Sequence, residues 1–129
     1  MSGHILDASA LIAMLREEVG AKQVADAISV ARMSVLNYAE VVSYFVHAGM
    51  SKVDIDAMLD PLPIELIPVD KHLARLAGHL RGPTAAVGLS LGDRACLALA
   101  KQQGLPAWTA DKDWKTIAQA IGVKVVVIR

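Results

Sequence analysis

The chain has 129 residues, enough for one domain with its own core, since chains of this size hide roughly two-thirds of their unfolded surface. Hydrophobic residues make up 54 %, yet they include only two Trp, two Tyr and one Phe, so Ala, Val, Leu and Ile must build an α/β core rather than an aromatic-rich β-sandwich. Thirteen basic and thirteen acidic residues cancel, which excludes a strongly basic nucleic-acid coat, and a single cysteine excludes a disulfide framework or a multi-cysteine zinc site.

His4-Ile5-Leu6 is a short apolar run ending at Asp7, and a helical pattern from Ala8 to Glu18 follows it. Lys22 to Ser29 carries a second helical stripe, with apolar residues at Val24, Ala25 and Ile28. Met33 to Leu36 is the next strand, and Asn37 opens a long helix that Gly49 ends. Ser51 to Leu62 is helical, closed by Pro61 and Pro63; Glu65 to Val69 is a strand that Pro68 directs to an edge. Asp70 to Arg81 is a helix, Pro83 to Leu89 a loop, and Ser90 to Gln103 an alanine- and leucine-rich helix. Ala107-Trp108-Thr109 forms a strand, Lys112 to Ala120 a helix, and Val123 to Ile128 the last strand. Alternating strands and helices predict a single α/β domain over residues 1–129, a central parallel β-sheet flanked by helices on both faces. The longest apolar runs, Ala10–Leu15 and Val125–Ile128, fall far short of the ~20 residues of a membrane span, and no basic stretch precedes Asp7 as in a signal peptide, so the expected location is cytoplasmic.

In a parallel sheet all strands end at one edge, where ligands bind. The first strand delivers Asp7 there, and the second delivers Glu40 one turn into its helix. The run Leu89-Ser90-Leu91-Gly92-Asp93 delivers Asp93, and Thr109-Ala110-Asp111 delivers Asp111, with Asp113 just beyond. Each acid also fits a helix cap: Asp7 and Asp111 as N-caps, Asn37-x-x-Glu40 and Ser90-x-x-Asp93 as capping boxes. Ser51-x-x-Asp54 has the same spacing but follows a helix, so Asp54 serves as a control away from the edge. Capping does not explain why four carboxylates converge. With no Lys or Arg beside each, a divalent cation is the economical neutraliser, Mg²⁺ or Mn²⁺ for an all-oxygen site. His4, His47, His72 and His79 show no zinc spacing, and Cys96 lies in an apolar helix as core. Asp70 also ends a strand, and only its edge position sets it apart.

LDASA at Asp7, N-x-x-E at Glu40, LSLGDRACLALA at Asp93 and TADKDW at Asp111, in this order, resemble the PIN-domain ribonucleases, and within them the VapC toxins of bacterial toxin–antitoxin modules. The resemblance extends from Asp7 to the last strand. It implies strand order 3-2-1-4-5, three constant acids at Asp7, Glu40 and Asp93, and a fourth at Asp111 for which Asp113 is the rival. It also implies supporting roles for Ser9, Asn37 and Thr109. In the implied mechanism Asp7 and Asp93 hold Mg²⁺ or Mn²⁺, Glu40 and Asp111 complete or position its surroundings, and a metal-activated water cleaves an RNA phosphodiester. The implied partners are a cognate antitoxin, which places an Arg or Lys among Asp7, Glu40 and Asp93, an RNA substrate and a second copy in a homodimer.

Arg16, Arg94 and Lys112 are candidates for holding the RNA backbone, each with a solvated-charge alternative. Two rival functions remain. A phosphotransfer protein needs D-x-D at the first strand, where Asp7-Ala8-Ser9 stands, or an acidic pair there, and Glu17-Glu18 come too late. The other is an inactive PIN binding module. The helices between Asn37 and Leu62 carry Val41, Val42, Phe45, Val46, Ile55, Met58, Leu59 and Leu62, an apolar surplus that suggests a two-fold contact.

Overall fold

Each expected strand has a counterpart, but the second runs from Ala31 to Ser34, and Val35 and Leu36 of the expected Met33–Leu36 run open the following helix instead. The structure, a computed structural model, describes residues 3–129. Its strands are β1 (His4–Leu6), β2 (Ala31–Ser34), β3 (Glu65–Ile67), β4 (Ala107–Thr109) and β5 (Val125–Val127). They form one sheet in the order β3-β2-β1-β4-β5, with every neighbouring pair parallel, as the resemblance implied. The helices are α1 (Ala8–Leu15), α2 (Ala21–Asp26), α3 (Val35–His47), α4 (Lys52–Leu59), α5 (Lys71–His79), α6 (Leu91–Gln103) and α7 (Lys115–Ile121). Short 3₁₀ turns at Ile28–Val30 and Lys112–Trp114 lead into β2 and α7. No helix among the described residues is long and apolar enough to cross a membrane.

β1 lies at the centre of the sheet, and its alternation feeds both layers. Ile5 points into a core with Leu73, Ala77, Leu97, Trp114 and Ile117, while Leu6 points into one with Leu11, Met33, Val41, Ile55 and Leu59. α6 is buried without a break from Ala95 to Ala100, so alanine there serves close approach to its neighbours rather than helix propensity alone. The edge strand β3 exposes Glu65 and Leu66, unlike the central strands.

Several boundaries differ from the sequence reading for local reasons. α1 stops at Leu15, short of Glu18, because Glu17 turns left-handed with φ 55°. α4 ends at Leu59, since Pro61 has no N–H with which to continue the helix. The largest correction concerns α3. Ser34, not Asn37, is its N-cap, with Oγ accepting from the Asn37 N–H at 3.1 Å, and Asn37-x-x-Glu40 is therefore no capping box. Ser90 and Asp93 do form one on α6, and Ser51 caps α4. Gly20 is obligatory at φ 92°, because a Cβ there would run into the Ile128 carbonyl just past β5.

The apolar surplus expected on the α3–α4 hairpin is mostly core. Val41, Phe45, Ile55 and Leu59 are buried, and Val42, Met58 and Leu62 pack against them. Val46 and Val53 stay exposed, but the hairpin fills its own side of the sheet, so its composition no longer argues for a two-fold contact.

One buried polar group makes the core acid-sensitive. His4 is 2 % exposed, stacks on Trp108 at 4.1 Å between ring centres, and has no partner for Nε2 among the described residues. Burial lowers its pKa below the ordinary 6.5, so the unfolded chain takes up a proton that the folded chain resists, and stability falls as pH drops below that value. His4→Phe keeps a ring against Trp108 and removes this titration. Its melting temperature relative to wild type is expected to be level near about pH 8 and to climb as pH falls through about 6. A difference that stays constant over that range, read by circular dichroism, would refute the assignment.

Candidate active site

Asp7 leaves β1 in extended conformation and starts α1, its Oδ1 accepting the Ala10 N–H at 2.8 Å. Two hydroxyls close around the rest of the carboxylate. Ser9 Oγ donates at 2.8 Å, and Thr109 Oγ1, at the end of β4, donates to Oδ2 at 2.6 Å. The same hydroxyls accept from the backbone that leaves β4: Ser9 Oγ from Ala110 N at 3.0 Å and Thr109 Oγ1 from Asp111 N at 3.0 Å. One carboxylate thus joins the exits of two adjacent strands through Ser9 and Thr109.

Glu40 comes from α3 and is positioned by a relay. The Ser34 hydroxyl donates to Asn37 Oδ1 at 2.6 Å, and Asn37 Nδ2 donates both to Glu40 Oε1 at 2.8 Å and to the Gly92 carbonyl at 2.9 Å. Asn37 therefore couples α3 to the first turn of α6, where Asp93 stands. Asp93 Oδ2 accepts the Ser90 N–H at 3.1 Å. Asp111 Oδ1 accepts the Asp113 N–H at 2.9 Å. Among the described residues, Glu40, Asp93 and Asp111 each retain one carboxylate oxygen without a hydrogen-bond donor.

All four acids line one cavity of about 300 Å³ at the edge where the strands end; Ala8, Ser9, Ile12 and Tyr44 complete its wall. No Lys or Arg is among those lining residues. Asp113 is not among them either: it lends Asp111 its backbone amide instead. Asp70 caps α5 through the Leu73 N–H, beside the edge strand, and Asp54 lies exposed in the first turn of α4.

Of the basic candidates, Arg94 turns away and donates to the carbonyls of Ala77 and Gly78 at the end of α5. Lys112 is exposed in the 3₁₀ turn after Asp111. Arg16 Nη1 donates to the hydroxyl of Tyr44, a residue of the cavity wall.

Two participants were not singled out from the sequence. Tyr44 follows Glu40 by four residues, the spacing that puts two side chains on one helix face. Gly92 lies against the Glu40 carboxylate so closely that a Cβ would occupy the same space. A glycine in the first turn of an otherwise alanine-rich helix is its one signal.

Burial pushes the Asp7 carboxyl up to about 6, against the lowering effect of hydrogen bonds from Thr109, Ala10 and Ser9, and the Asp93 charge adds to the rise. Glu40 is raised too, first by burial and further by Asp93, with the Asn37 hydrogen bond opposing. Among the described residues no three acid, histidine or cysteine side chains form a ready-made cage, because each carboxylate is drawn toward its own donor. The donor set itself fits a hard divalent cation: oxygen ligands only, an Asp93 charge that raises both Asp7 and Glu40, and no lining cation to balance them.

The raised pKa fixes the sign of a stability effect. The folded chain binds the Asp7 proton more tightly than the unfolded one. Stability is therefore full below the unfolded pKa of 3.8 and is lost as pH rises through about 6. At neutral pH the charged group costs up to about 3 kcal/mol. Asp7→Asn keeps an acceptor for the Ala10 N–H, and the Ser9 and Thr109 hydroxyls can turn to accept from its amide. Without added metal this variant should melt above wild type near about pH 7 and lose the advantage near about pH 4; a lower melting temperature at neutral pH would contradict it.

A family model described as PIN domain matches residues 4–120. No curated protein matches the chain. Among solved structures it is similar to a chain of a toxin–antitoxin complex from Klebsiella pneumoniae, with TM-score 0.74 and 22 % identity over 98 % of both chains. It is similar to one of a DNA-bound VapBC from Salmonella typhimurium, with TM-score 0.73 and 17 % identity over 100 % of both. A chain of VapBC-5 from Mycobacterium tuberculosis gives TM-score 0.66 and 25 % identity over 98 % of this chain and 99 % of that one.

Proposed function

The chain belongs to the PIN domain family, and on that premise we propose that it is a metal-dependent ribonuclease, the toxin of a toxin–antitoxin pair. The observation that carries the proposal is the convergence of Asp7, Glu40, Asp93 and Asp111 on one cavity with no lining Lys or Arg. Asp7 and Asp93 would hold Mg²⁺ or Mn²⁺, with Glu40 and Asp111 beside them. When bound, such a cation lowers the pKa of a water and polarises a phosphoryl oxygen for in-line attack.

The chain's own contribution is positioning. Ser9 and Thr109 fix the rotamer of Asp7, Asn37 holds one oxygen of Glu40 and leaves Oε2 to the cavity, and the Ser90 amide orients Asp93. Glu40, raised by burial, suits the transient acceptance of a proton from the attacking water at Oε2. The phosphotransfer reading loses ground, since Ser9 fills the place of the second acid of D-x-D and donates to Asp7.

An antitoxin partner is supported by the likeness in fold to chains of a toxin–antitoxin complex and of VapBC. The acidic cavity offers such a partner a site for an Arg or Lys among Asp7, Glu40 and Asp93. The homodimer rests on the family likeness alone, now that the α3–α4 hairpin is accounted for by the core.

Asp93→Asn tests the metal role with little steric change, because its amide oxygen can still accept from the Ser90 N–H. Mn²⁺ should raise the melting temperature of wild type and raise that of the variant less. RNA cleavage should fall by more than the roughly 10- to 100-fold typical of a residue that only orients a ligand. Asp54→Ala is the control, expected to cost at most about 1 kcal/mol as a helix-dipole charge and to leave cleavage unchanged. Cleavage by Asp93→Asn at the wild-type rate would overturn the proposal.

A second test follows from the contact between α6 and α3. Gly92→Ala puts a methyl where the Glu40 carboxylate lies, and the flexible end of Glu40 gives way rather than the backbone. Cleavage should drop while the melting temperature stays within a few degrees of wild type. Full activity in Gly92→Ala would show that the position of Glu40 does not matter.

A further inference from the structure

Tyr44 lines the acidic cavity, Arg16 bonds to its hydroxyl, and neither takes part in holding the carboxylates. Tyr44 is the one aromatic residue in the cavity wall, and with Ile12 and Ala8 it makes up the apolar part of that wall. Its ring is fixed from below by the buried Phe45, edge to face at 5.1 Å between centres. Arg16 Nη1 donates to the Tyr44 hydroxyl while the guanidinium carbon is 5.7 Å from the ring centre. A group bonded to the hydroxyl at that distance lies beyond the oxygen, so it anchors the ring without covering its faces.

The guanidinium also keeps donors to spare. The Arg16 side chain is half exposed, and its one carboxylate neighbour, Glu18 at 3.7 Å, is shared with Arg129 at 3.3 Å. Past Tyr44 the surface continues as an open groove along α3, lined by Leu36, Ala39, Ser43 and His47 and sharing Glu40 and Tyr44 with the acidic cavity.

A polyanion entering a cavity of four carboxylates needs a positive group nearby, and its bases need an apolar face. Both are present side by side, Arg16 just past the end of α1 and Tyr44 on α3 one turn beyond Glu40. We propose that Tyr44 is the platform on which the unpaired base next to the scissile phosphate stacks, while Arg16 contacts the adjoining phosphate. This inference rests on the ribonuclease reading of the neighbouring acids. A ring held in place on a helix suits such stacking, which is tolerant of base identity and unavailable to a base kept inside a duplex.

The test uses the full chain and a short single-stranded RNA. Tyr44→Leu should raise KM by roughly 5- to 150-fold, the range of a base–aromatic stack, with kcat changed far less. Tyr44→Phe keeps the ring and should restore KM to within about threefold, the remainder reporting the lost anchor to Arg16. A 2-aminopurine placed beside the cleavage site, with Ca²⁺ replacing Mg²⁺, should be quenched by wild type and by Tyr44→Phe but not by Tyr44→Leu.

If wild type cleaves RNA and Tyr44→Leu matches it in KM and quenching, the stacking platform is wrong and the ribonuclease reading stands. If Tyr44→Phe is as impaired as Tyr44→Leu, the hydroxyl rather than the ring matters, and the platform is again refuted. Quenching by a wild type that cleaves no RNA would keep the platform and remove the ribonuclease.

Discussion

The buried carboxylate of Asp7 is the constraint on which the site is built. A group taken out of water at the end of a central strand must find donors, and it finds them in three places: the first turn of α1, the Ser9 hydroxyl and the Thr109 hydroxyl at the end of β4. Those hydroxyls hand the geometry on, because each also accepts a backbone amide from the segment that carries Asp111. The first acid therefore sets the place of the fourth, and neither hydroxyl can be removed without loosening both.

Capping and chemistry are carried by the same atoms here without competing. Asp93 spends one oxygen on the Ser90 amide and Asp111 one on the Asp113 amide, and the second oxygen of each is what remains for a ligand. The local bonds keep each carboxylate in a fixed rotamer, apart from its like-charged neighbours, at no cost to the helix. The residual repulsion is borne by the apolar layers on either side of β1, above all by the unbroken buried run of α6.

Much of this was legible in the sequence because the acids stand at transitions from strand or loop to helix, and such transitions have simple signatures. The parallel sheet, the edge position of β3 and the capping box of α6 follow from apolar runs, Pro68 and the Ser90–Asp93 spacing. Asn37 misled for a definite reason: its side chain bonds three residues ahead as a cap would, but Ser34 already serves the helix, which frees the amide of Asn37 to reach Gly92 on α6. The roles of Gly92 and Tyr44 depend on how α3 and α6 approach each other and on where α1 ends. Helical periodicity within one segment carries no such information. The hairpin surplus was misread likewise, because apolar count per helix does not say how many faces the sheet will cover.

The hydroxyl bond from Thr109 to Asp7 spans 102 residues of chain. β1 is made before both of its neighbours in the sheet: β2 follows soon after it, and β4 only once α1 to α6 have been made. Pairings of such long sequence separation form late, since loop closure must precede any gain from the contact. A nascent or prematurely terminated chain can bury the β1–β2 half, but it cannot satisfy the Asp7 carboxylate or bring the fourth acid to it. Whatever chemistry these carboxylates perform is thus withheld by topology until β4 has been made, and chains that stop before it are inert.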